Sequence, residues 1–300
     1  MITRRLFAGG LASASFLALT SPARALPETA CPAVRRMYLD SAFGQLHLRV
    51  ATPDNSAGAA PPLVLLHQTA LSGRMFDQFL PVMATDRIVI AVDTPGYGES
   101  DRPAERPTLA GYGDAMLDAL VGKFGPKLDV LGYHTGAAIA ADLASRRAEV
   151  DRVVLVSMPY FDETRRTDLL AQVGRPLSAE GEYSEDGSHL VSMWKGSFGS
   201  RADGQSLDDV ARLVAEKQRA GIYGGWALHS ALENDLAPTL SAIEEPVLVI
   251  APHDGLQEQS RAAAALIPGA KIEELPEVAY GLFDAIPDRL AETVRAFLSR

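Results

Sequence analysis

The sequence predicts an α/β fold with a mainly parallel central sheet, helices on both faces and a helical insertion. Short, continuous apolar runs, which are typical of strands buried in a parallel sheet, alternate with helical patterns. One run ends in a glycine-flanked pentapeptide, Gly132-Tyr133-His134-Thr135-Gly136, and an alanine-rich helical pattern follows at once. The alternation stops at Tyr160 and resumes only after Ile243, which indicates an insertion in the sheet domain.

The first element is an antiparallel hairpin, because Met37 to Asp40 and Gln45 to Thr52 alternate or run apolar around Gly44. Strands and helices then alternate, and helical crossovers join strands that run parallel. The predicted segments are, in order, a strand at Leu63–Leu66, a helix at Phe76–Met83, a strand at Arg87–Val92, a helix at Leu109–Leu120, a strand at Leu128–Leu131, a helix at Ala137–Arg147 and a strand at Val153–Val156.

The polar segment 160–243 contains helical stretches such as Leu207 to Ala220 but no buried strand, so it predicts a helical lid. The segments predicted after it are a strand at Val247–Ile250, a helix at Gln259–Leu266, a strand at Lys271–Leu275 and a helix at Pro287–Leu298. The chain therefore divides into a signal sequence (1–25), a core (26–159 and 244–300) and the lid (160–243).

Residues 1–25 have the features of an export signal. Thr3-Arg4-Arg5-Leu6-Phe7 is a twin-arginine pattern, an apolar run from Ala8 to Leu19 follows, and Ala23-Arg24-Ala25 offers a cleavage site. The apolar run is too short to span a bilayer. We therefore expect a periplasmic or secreted protein that has no stable membrane insertion after signal removal. Cys31 is the only cysteine, so no intrachain disulfide is expected, and we place it at the surface.

The charge excludes some classes of partner. The formal net charge is -10, and it becomes -13 without residues 1–25, which contain three arginines and no acid. Nucleic acids and anionic lipids both require a basic face. A small-molecule substrate or ligand is the partner that we expect.

The pentapeptide has the strand-turn-helix context of a nucleophile elbow, G-x-S-x-G. Its glycines leave room for a tight turn, since side chains there would collide with the neighbouring strand and helix. The residue at the tip is exposed above the carboxyl edge of the sheet and has a strained backbone. Here the tip residue is His134 rather than serine, cysteine or aspartate.

Four segments together resemble the α/β-hydrolase superfamily across nearly all of the chain after the signal sequence. They look like the strand and turn that supply an oxyanion-hole amide, the family's Asp-x-x-Gly-x-Gly-x-Ser turn, the elbow, and the ends of the last two strands. In this sequence they are Leu63–Thr69, Asp93–Ser100, Gly132–Gly136, and Pro246–Asp254 with Leu275–Arg295. The resemblance implies the α/β-hydrolase fold.

The resemblance also implies where the catalytic residues fall. The family's acid follows the penultimate strand, where Asp254 lies, and the alternative is a solvated turn aspartate. The family's histidine follows the last strand, but that position holds Tyr280, and no histidine occurs there or later. The Ser-His-Asp relay thus corresponds to His134, Tyr280 and Asp254. The main-chain amides of Gln68 and Thr135 correspond to the oxyanion hole.

These residues exclude the ordinary serine mechanism, because the serine and its base are both missing from their places. Tyrosine, with an ordinary pKa of about 10, is a poor base near neutrality, whereas histidine suits proton abstraction from water or substrate. Tyr280 could orient the imidazole of His134 or donate to the substrate, and Asp254 could accept from Tyr280. Covalent catalysis by the imidazole, Thr135 as nucleophile and a loss of catalysis are the alternatives.

We therefore expect an exported, cofactor-free enzyme that performs hydrolysis or related proton-transfer chemistry on a small to medium apolar carbonyl compound. The alternative is a catalytically inactive protein that binds a small ligand. The aromatic residues of the lid motivate the apolar preference. No motif for a metal or a phosphate-binding loop is present in the sequence. The candidate pocket residues are His67, which is also a candidate scaffold residue, and Tyr133, Tyr160, Trp194 and Trp226.

Overall fold

The computed structural model describes residues 32–53, 60–173, 183–199, 201 and 205–299. The predicted signal sequence and Cys31 lie outside these ranges, so both remain predictions from the sequence.

The central element is one mainly parallel sheet. Its strands in the described residues are β1 (Val34–Ser41), β2 (Gly44–Ala51), β3 (Leu63–Leu66), β4 (Val89–Val92), β5 (Leu128–Tyr133), β6 (Val150–Val156), β7 (Val247–Pro252) and β8 (Lys271–Leu275). Their order is β1-β2-β4-β3-β5-β6-β7-β8. β2 pairs antiparallel with β1 and β4, and all other pairs are parallel. The predicted hairpin and parallel sheet are confirmed.

The α-helices of the described residues flank this sheet or belong to the insertion. They are α1 (Phe79–Met83), α2 (Leu109–Phe124), α3 (Thr135–Ala144), α4 (Glu163–Val173), α5 (Ser188–Gly199), α6 (Leu207–Ala220), α7 (Trp226–Leu232), α8 (Leu236–Ser241), α9 (Gln257–Leu266), α10 (Leu282–Ala285) and α11 (Pro287–Leu298).

Two apolar layers cover the two faces of the sheet. Val64 and Leu66 of β3 lie in the layer shared with α2 and α3. Leu63 and Leu65 lie in the layer shared with α1 and α11. Successive side chains of a strand point to opposite faces, so a strand covered on both sides must be apolar throughout. This is why the continuous apolar runs of the sequence identify the strands.

One predicted helix, Phe76–Met83, is divided in the structure. A 3₁₀ turn covers Gly73–Phe76, with Ser72 as its cap, and α1 begins only at Phe79. Pro81 has no backbone N–H to donate, so it is tolerated in the first turn of a helix but not further along. The proline therefore requires a new helix to start close to it.

The described residues between β6 and β7 form helices α4 to α8 and no strand, which confirms a helical insertion. The bounds 160–243 remain a prediction. The insertion contacts the turn after β4: the Tyr97 hydroxyl donates to the Gly224 carbonyl (3.1 Å) and accepts from the Ala227 N–H (3.0 Å). The Arg102 guanidinium lies 4.1 Å from the ring centroid of Tyr223. No helix in the described ranges is both long enough and apolar enough to cross a bilayer.

Candidate active site

His134 alone separates β5 from α3 and forms the tip of the elbow. Its backbone has φ 51° and ψ -116°, which is a strained conformation for a residue with a Cβ. A Cβ on Gly132 would lie 2.1 Å from the Gly136 carbonyl oxygen, and a Cβ on Gly136 would lie 2.1 Å from the Leu66 carbonyl oxygen. The glycines therefore let α3 approach the ends of β3 and β5 closely, as the sequence predicts.

The imidazole of His134 contacts Asp254 directly, with 2.9 Å between Nε2 and Oδ2. The Asp254 side chain is fully buried, whereas that of His134 is 21% exposed. Oδ2 also accepts from the Ser157 hydroxyl at 2.5 Å and from the Tyr133 hydroxyl at 3.3 Å. Oδ1 accepts from the backbone N–H of Leu256 at 3.1 Å. Asp254 is thus a fully hydrogen-bonded acid and not a solvated turn residue.

The hydrogen bonds keep Asp254 ionised. Burial alone would raise the pKa of Asp254. Its neighbours outweigh burial and lower the pKa: they are His134, through its hydrogen bond and charge, the Ser157 hydroxyl and the Leu256 amide. An ionised carboxylate can only accept, so Nε2 of His134 carries a proton and Nδ1 is the acceptor of the neutral ring. Burial and the charge of Asp254 raise the pKa of Tyr133 well above its ordinary value, so Tyr133 remains a donor.

Tyr280 does not have the position in the relay that the sequence suggests. The structure joins His134 to Asp254 without an intermediary. Tyr280 is 40% exposed, and no hydrogen bond between it and either residue is found in the described part of the chain. Its hydroxyl lies near Gly255, 3.4 Å from where a Cβ on that glycine would be. The elbow histidine reaches the acid by itself, which corrects the expected linking role of Tyr280.

The predicted oxyanion amides are available as donors. The N–H of Thr135 belongs to the first turn of α3, where amides have no partner within the helix. Within the described ranges neither it nor the N–H of Gln68 has a hydrogen-bond acceptor. The Thr135 hydroxyl accepts from the Thr69 hydroxyl at 2.8 Å, and Thr135 is buried. These contacts favour the amide of Thr135, rather than its hydroxyl, as the group that acts on a substrate.

His67 has hydrogen-bond partners for both nitrogens of its ring. Its Nδ1 donates to the Gln68 carbonyl at 2.8 Å, and its Nε2 accepts from the Thr94 amide at 2.9 Å. Burial lowers the pKa of His67, which keeps the ring in the neutral form that these two bonds require. The predicted hydrogen-bonded scaffold role is confirmed. The residue orients the carbonyl next to a candidate oxyanion amide.

The other predicted pocket residues are buried or half-buried. Tyr133 is buried beneath the site, and Tyr160, Trp194 and Trp226 are half-buried. Trp226 packs edge-on against Tyr223 with 4.8 Å between ring centroids. Within the described ranges no three His, Cys, Asp or Glu side chains are grouped as a metal site.

A cavity of about 700 Å³ lies between the lid helix α6 and the core. Its wall comes from residues 71–78, from α6 and the preceding Gln205, and from residues 281–285. Among the described wall residues there is neither His134 nor Asp254 nor any predicted pocket residue. The cavity is therefore a concave feature separate from the candidate catalytic pair.

Sequence reasoning missed Ser157, which directly follows β6. The strands on either side of β6 lead to His134 and Asp254. A signal was present in the sequence: a polar residue ends the buried run between the two strands that carry the candidate pair. Ends of neighbouring parallel strands meet at one edge of the sheet, where sites of α/β proteins are found.

The sequence matches the alpha/beta hydrolase family over residues 63–293. The chain belongs to the alpha/beta hydrolase family. Among curated relatives, this hydrolase is similar to a pimeloyl-[acyl-carrier protein] methyl ester esterase from Nitrosospira multiformis, with 26% identity over 271 residues, 85% of this chain and 99% of the relative.

Solved structures of other proteins have the same fold as this alpha/beta hydrolase. A hydrolase from Pseudomonas aeruginosa PA01 has a TM-score of 0.70 and 23% identity, covering 89% of this chain and 99% of that one. The enol-lactonase from Burkholderia xenovorans LB400 has a TM-score of 0.72 and 19% identity, covering 88% of this chain and 100% of that one. At these identities the likeness shows the fold alone.

Proposed function

We propose that this alpha/beta hydrolase is an enzyme that hydrolyses an ester-type bond in a small to medium, largely apolar carbonyl compound, with His134 as general base. The observation that carries the proposal is the His134–Asp254 pair at the tip of the elbow, with 2.9 Å between Nε2 and Oδ2. A buried carboxylate behind an imidazole selects its tautomer and stabilises the imidazolium that forms during proton transfer.

The proposed step uses water as the nucleophile. Nδ1 of His134 takes a proton from water while the water oxygen bonds to the carbonyl carbon, and the carbonyl electron pair moves onto its oxygen. The N–H groups of Gln68 and Thr135 donate to that oxyanion. When the carbonyl re-forms, the bond to the alkoxide breaks and the imidazolium returns the proton to it. The products are a carboxylic acid and an alcohol.

Two further observations support the substrate class. The curated relative is a methyl ester esterase, which favours an ester-type bond. The half-buried aromatic side chains of the insertion, Trp194 and Trp226, favour an apolar substrate, since pockets for such compounds are lined mainly by apolar and aromatic groups.

Replacement of His134 tests the mechanism. With an ester that the wild type hydrolyses, log(kcat/KM) should rise with pH through one ionisation and then level off, because only neutral imidazole accepts a proton. His134→Ala should lower the rate by about 10²–10⁴-fold, the usual loss when a general base is removed. His253→Ala is the matched control, because it removes an exposed histidine that precedes Asp254 in the chain. Full activity in His134→Ala would move the chemistry away from the elbow.

The twin-arginine pattern supports export to the periplasm or the medium as part of this function. Arg4→Lys with Arg5→Lys should leave the protein in the cytoplasm, as measured by cell fractionation and immunoblotting. Unchanged export of the double variant would exclude the twin-arginine route.

The cavity between α6 and the core favours a second candidate, non-catalytic binding of a small organic cation. Most charged groups of its wall already have partners: Asp77 pairs with Arg49, Glu216 with Arg74, Asp209 with Arg212, and Arg219 with Glu99. The Asp284 side chain has no ion pair or hydrogen bond among the described residues. Burial, and then the nearby carboxylates of Asp209 and Asp77, raise the pKa of Asp284 to about 6. Burial disfavours either sign of charge, so it is the grouping of these carboxylates that favours a cation.

Calorimetric titration with hexylammonium tests this candidate. Wild type and His134→Ala should bind it equally, whereas Asp284→Asn should lose binding. Hexanol is the matched neutral probe and should bind more weakly than the ammonium. Equal affinity of the two probes for the wild type would exclude a cation site. Cation binding without turnover of any ester would favour the second candidate over the first.

A further inference from the structure

We propose that Ser157 is the positioning residue of the His134–Asp254 pair. Its hydroxyl holds the Asp254 carboxylate against Nε2 of His134, so that Nδ1 is the ring nitrogen left to accept a proton. The catalytic consequence of this inference rests on the proposed function, but its geometry does not.

Ser157 and His134 occupy equivalent places on neighbouring strands. Tyr133, the last residue of β5, pairs with Val156, the last residue of β6. The residue that follows each strand has a positive φ, 51° for His134 and 52° for Ser157. Non-glycine residues adopt this backbone region rarely. β7, which pairs with the other side of β6, leads to Asp254. Ser157 therefore lies between the two strands whose ends carry the pair.

The contacts of Ser157 restrict the direction of the carboxylate. Ser157 is fully buried, and its hydroxyl donates to Oδ2 of Asp254 at 2.5 Å. Its own N–H donates to the Ile250 carbonyl at 3.0 Å, which anchors it to β7. The remaining donors to Oδ2 are His134 at 2.9 Å and Tyr133 at 3.3 Å. Two short bonds from adjacent strand ends thus fix Oδ2, and the Ser157 hydroxyl takes no part in the proton transfer from water proposed above.

The hydroxyl also acts on the charge of Asp254. It donates to the ionised form, and hydrogen bonds to an ionised group are stronger than bonds between neutral groups. Burial raises the pKa of Asp254, but His134 and the Ser157 hydroxyl are among the groups that lower it below its ordinary value. An ionised Asp254 requires a protonated Nε2, which fixes the tautomer of His134.

A backbone role and a hydroxyl role of Ser157 can be separated. A residue with a Cβ at φ 52° stores strain that glycine would relieve. Ser157→Ala removes the hydroxyl and keeps the strain, whereas Ser157→Gly removes both. If the hydroxyl positions Asp254, the two variants share one defect at the site and differ only in stability.

The experiment compares these two variants with Ser260→Ala. Ser260 is the matched control because it is also fully buried, and its hydroxyl oxygen accepts from the Met158 N–H at 2.9 Å rather than contacting Asp254. Two NMR measurements need no substrate: the carboxyl ¹³C titration of Asp254 and the ring ¹⁵N shifts of His134. The third measurement is kcat and KM for the ester that the wild type hydrolyses.

Ser157→Ala and Ser157→Gly should both raise the pKa of Asp254, because a donor to its ionised form is lost. The ring ¹⁵N shifts should show that His134 no longer holds a single tautomer. The value of kcat should fall about 10- to 100-fold, which corresponds to the loss of one hydrogen bond to a charged group, while KM changes less. Ser260→Ala should leave the titration, the ring shifts and kcat as in the wild type.

An unchanged Asp254 titration and unchanged His134 shifts in both Ser157 variants would overturn the inference. So would a glycine variant that behaves as the wild type while the alanine variant does not, because backbone strain would then explain the effect. A wild type without activity on any ester would count against the proposed function alone, since the two NMR measurements still decide the role of Ser157.

Discussion

The side chain of His134 alone connects the elbow to the acid, a connection that needs two residues in the family's relay. In the relay a nucleophile at the elbow contacts a histidine, and that histidine contacts the acid. Here the imidazole is at the elbow and lies 2.9 Å from Asp254. The site therefore contains a proton acceptor but has no hydroxyl at the tip for a covalent intermediate.

Serine-directed fluorophosphonate probes should not label the wild-type protein, because the elbow has no serine for them to modify. His134→Ser alone should remain unlabelled, since the exposed Tyr280 cannot act as its base. His134→Ser with Tyr280→His should be labelled, because the side chain at 280 lies beside Gly255, the neighbour of Asp254. Intact-protein mass spectrometry measures the labelling. Stoichiometric modification of a serine in the wild type would contradict this assignment of the site.

The positions of His134 and Asp254 could be predicted from the sequence because both follow strands that the apolar pattern identifies. Their direct contact could not, since it depends on the direction of one side chain. The linking role expected of Tyr280 between His134 and Asp254 fails for a related reason, while donation to a substrate stays a prediction. A loop after a strand has no apolar periodicity that would fix its course, so correspondence of sequence position does not give the distance between side chains. The contact of Ser157 with Asp254 could be predicted only by knowing which strands are neighbours in the sheet.

At the scale of elements, the elbow depends on the close approach of α3 to the ends of β3 and β5. Gly136 is one of the two tightest points of this approach, because a Cβ there would lie 2.1 Å from the carbonyl oxygen of Leu66 on β3. The backbone on both sides of this contact belongs to the core and has little freedom to move. The strain at His134 persists because these surrounding elements hold it in place.

Gly136→Ala should lower the free energy of unfolding by at least about 3 kcal/mol, the upper part of the range for overpacked sites, because the new Cβ would lie 2.1 Å from a backbone oxygen. Gly122→Ala is the matched control. Gly122 lies in the interior of α2 with no atom within 4 Å of a new Cβ, so alanine there should raise stability by about 0.5–1 kcal/mol. Urea denaturation followed by circular dichroism measures both. Similar stability of the two variants would contradict the packing argument.

Asp284 on α10 and Asp209 on α6 line the same cavity, and their proximity should make the stability of the protein depend on pH. The pKa of Asp284 in the folded protein is about 6, above its ordinary value, because of burial, Asp209 and Asp77, with Arg212 opposing them. The folded state therefore binds more protons than the unfolded state between about pH 4 and 6, and the stability contribution is lost as the pH rises through this window. Above it, a charged Asp284 is a net penalty.

Asp284→Asn should consequently raise Tm at pH 8 and change it little at pH 4. Scanning calorimetry at the two pH values measures the difference. Glu105→Gln, which neutralises an exposed carboxyl in a loop, is the control and should show no such contrast. The same small change in Tm at both pH values for Asp284→Asn would exclude the raised pKa.

The boundaries of most elements were predictable within a few residues because buried strands are apolar along their whole length. The division of the segment after β3 into a 3₁₀ turn and α1 was not expected. It results from the missing N–H of Pro81, a local hydrogen-bond requirement that apolar spacing does not report.

At the scale of the whole molecule, Tyr97 joins the lid helices to the core. Its hydroxyl satisfies two buried backbone groups of the lid, the Gly224 carbonyl and the Ala227 N–H. Burial raises the pKa of Tyr97 to about 12, so the hydroxyl stays neutral and this contact should not change between pH 6 and 9. The Tyr97 hydroxyl is thus one of the contacts that dock α7, together with the Ser230 hydroxyl, which donates to the Pro107 carbonyl at 2.7 Å.

Tyr97→Phe should weaken the docking of α7 by about 1–3 kcal/mol, because two buried backbone groups lose their partner. Hydrogen exchange should become faster in the amides of α7 and remain unchanged in β3 and β5. Tyr112→Phe is the matched control, because the hydroxyl of this fully buried tyrosine has no partner among the described residues and its removal breaks no bond. Faster exchange throughout the sheet in Tyr97→Phe would show that the residue supports the core instead.

The insertion separates two strands that pair side by side, since residues 157–246 lie between β6 and β7. The entropy of closing a flexible loop grows only with the logarithm of its length, so halving this segment would change stability by about 0.6 kcal/mol. The pairing of β6 with β7 nevertheless has to wait for distant parts of the chain to meet, and such long-range contacts slow folding. Evolution can therefore lengthen, shorten or exchange the lid with little effect on the equilibrium of the core, and the speed of folding sets the stricter limit.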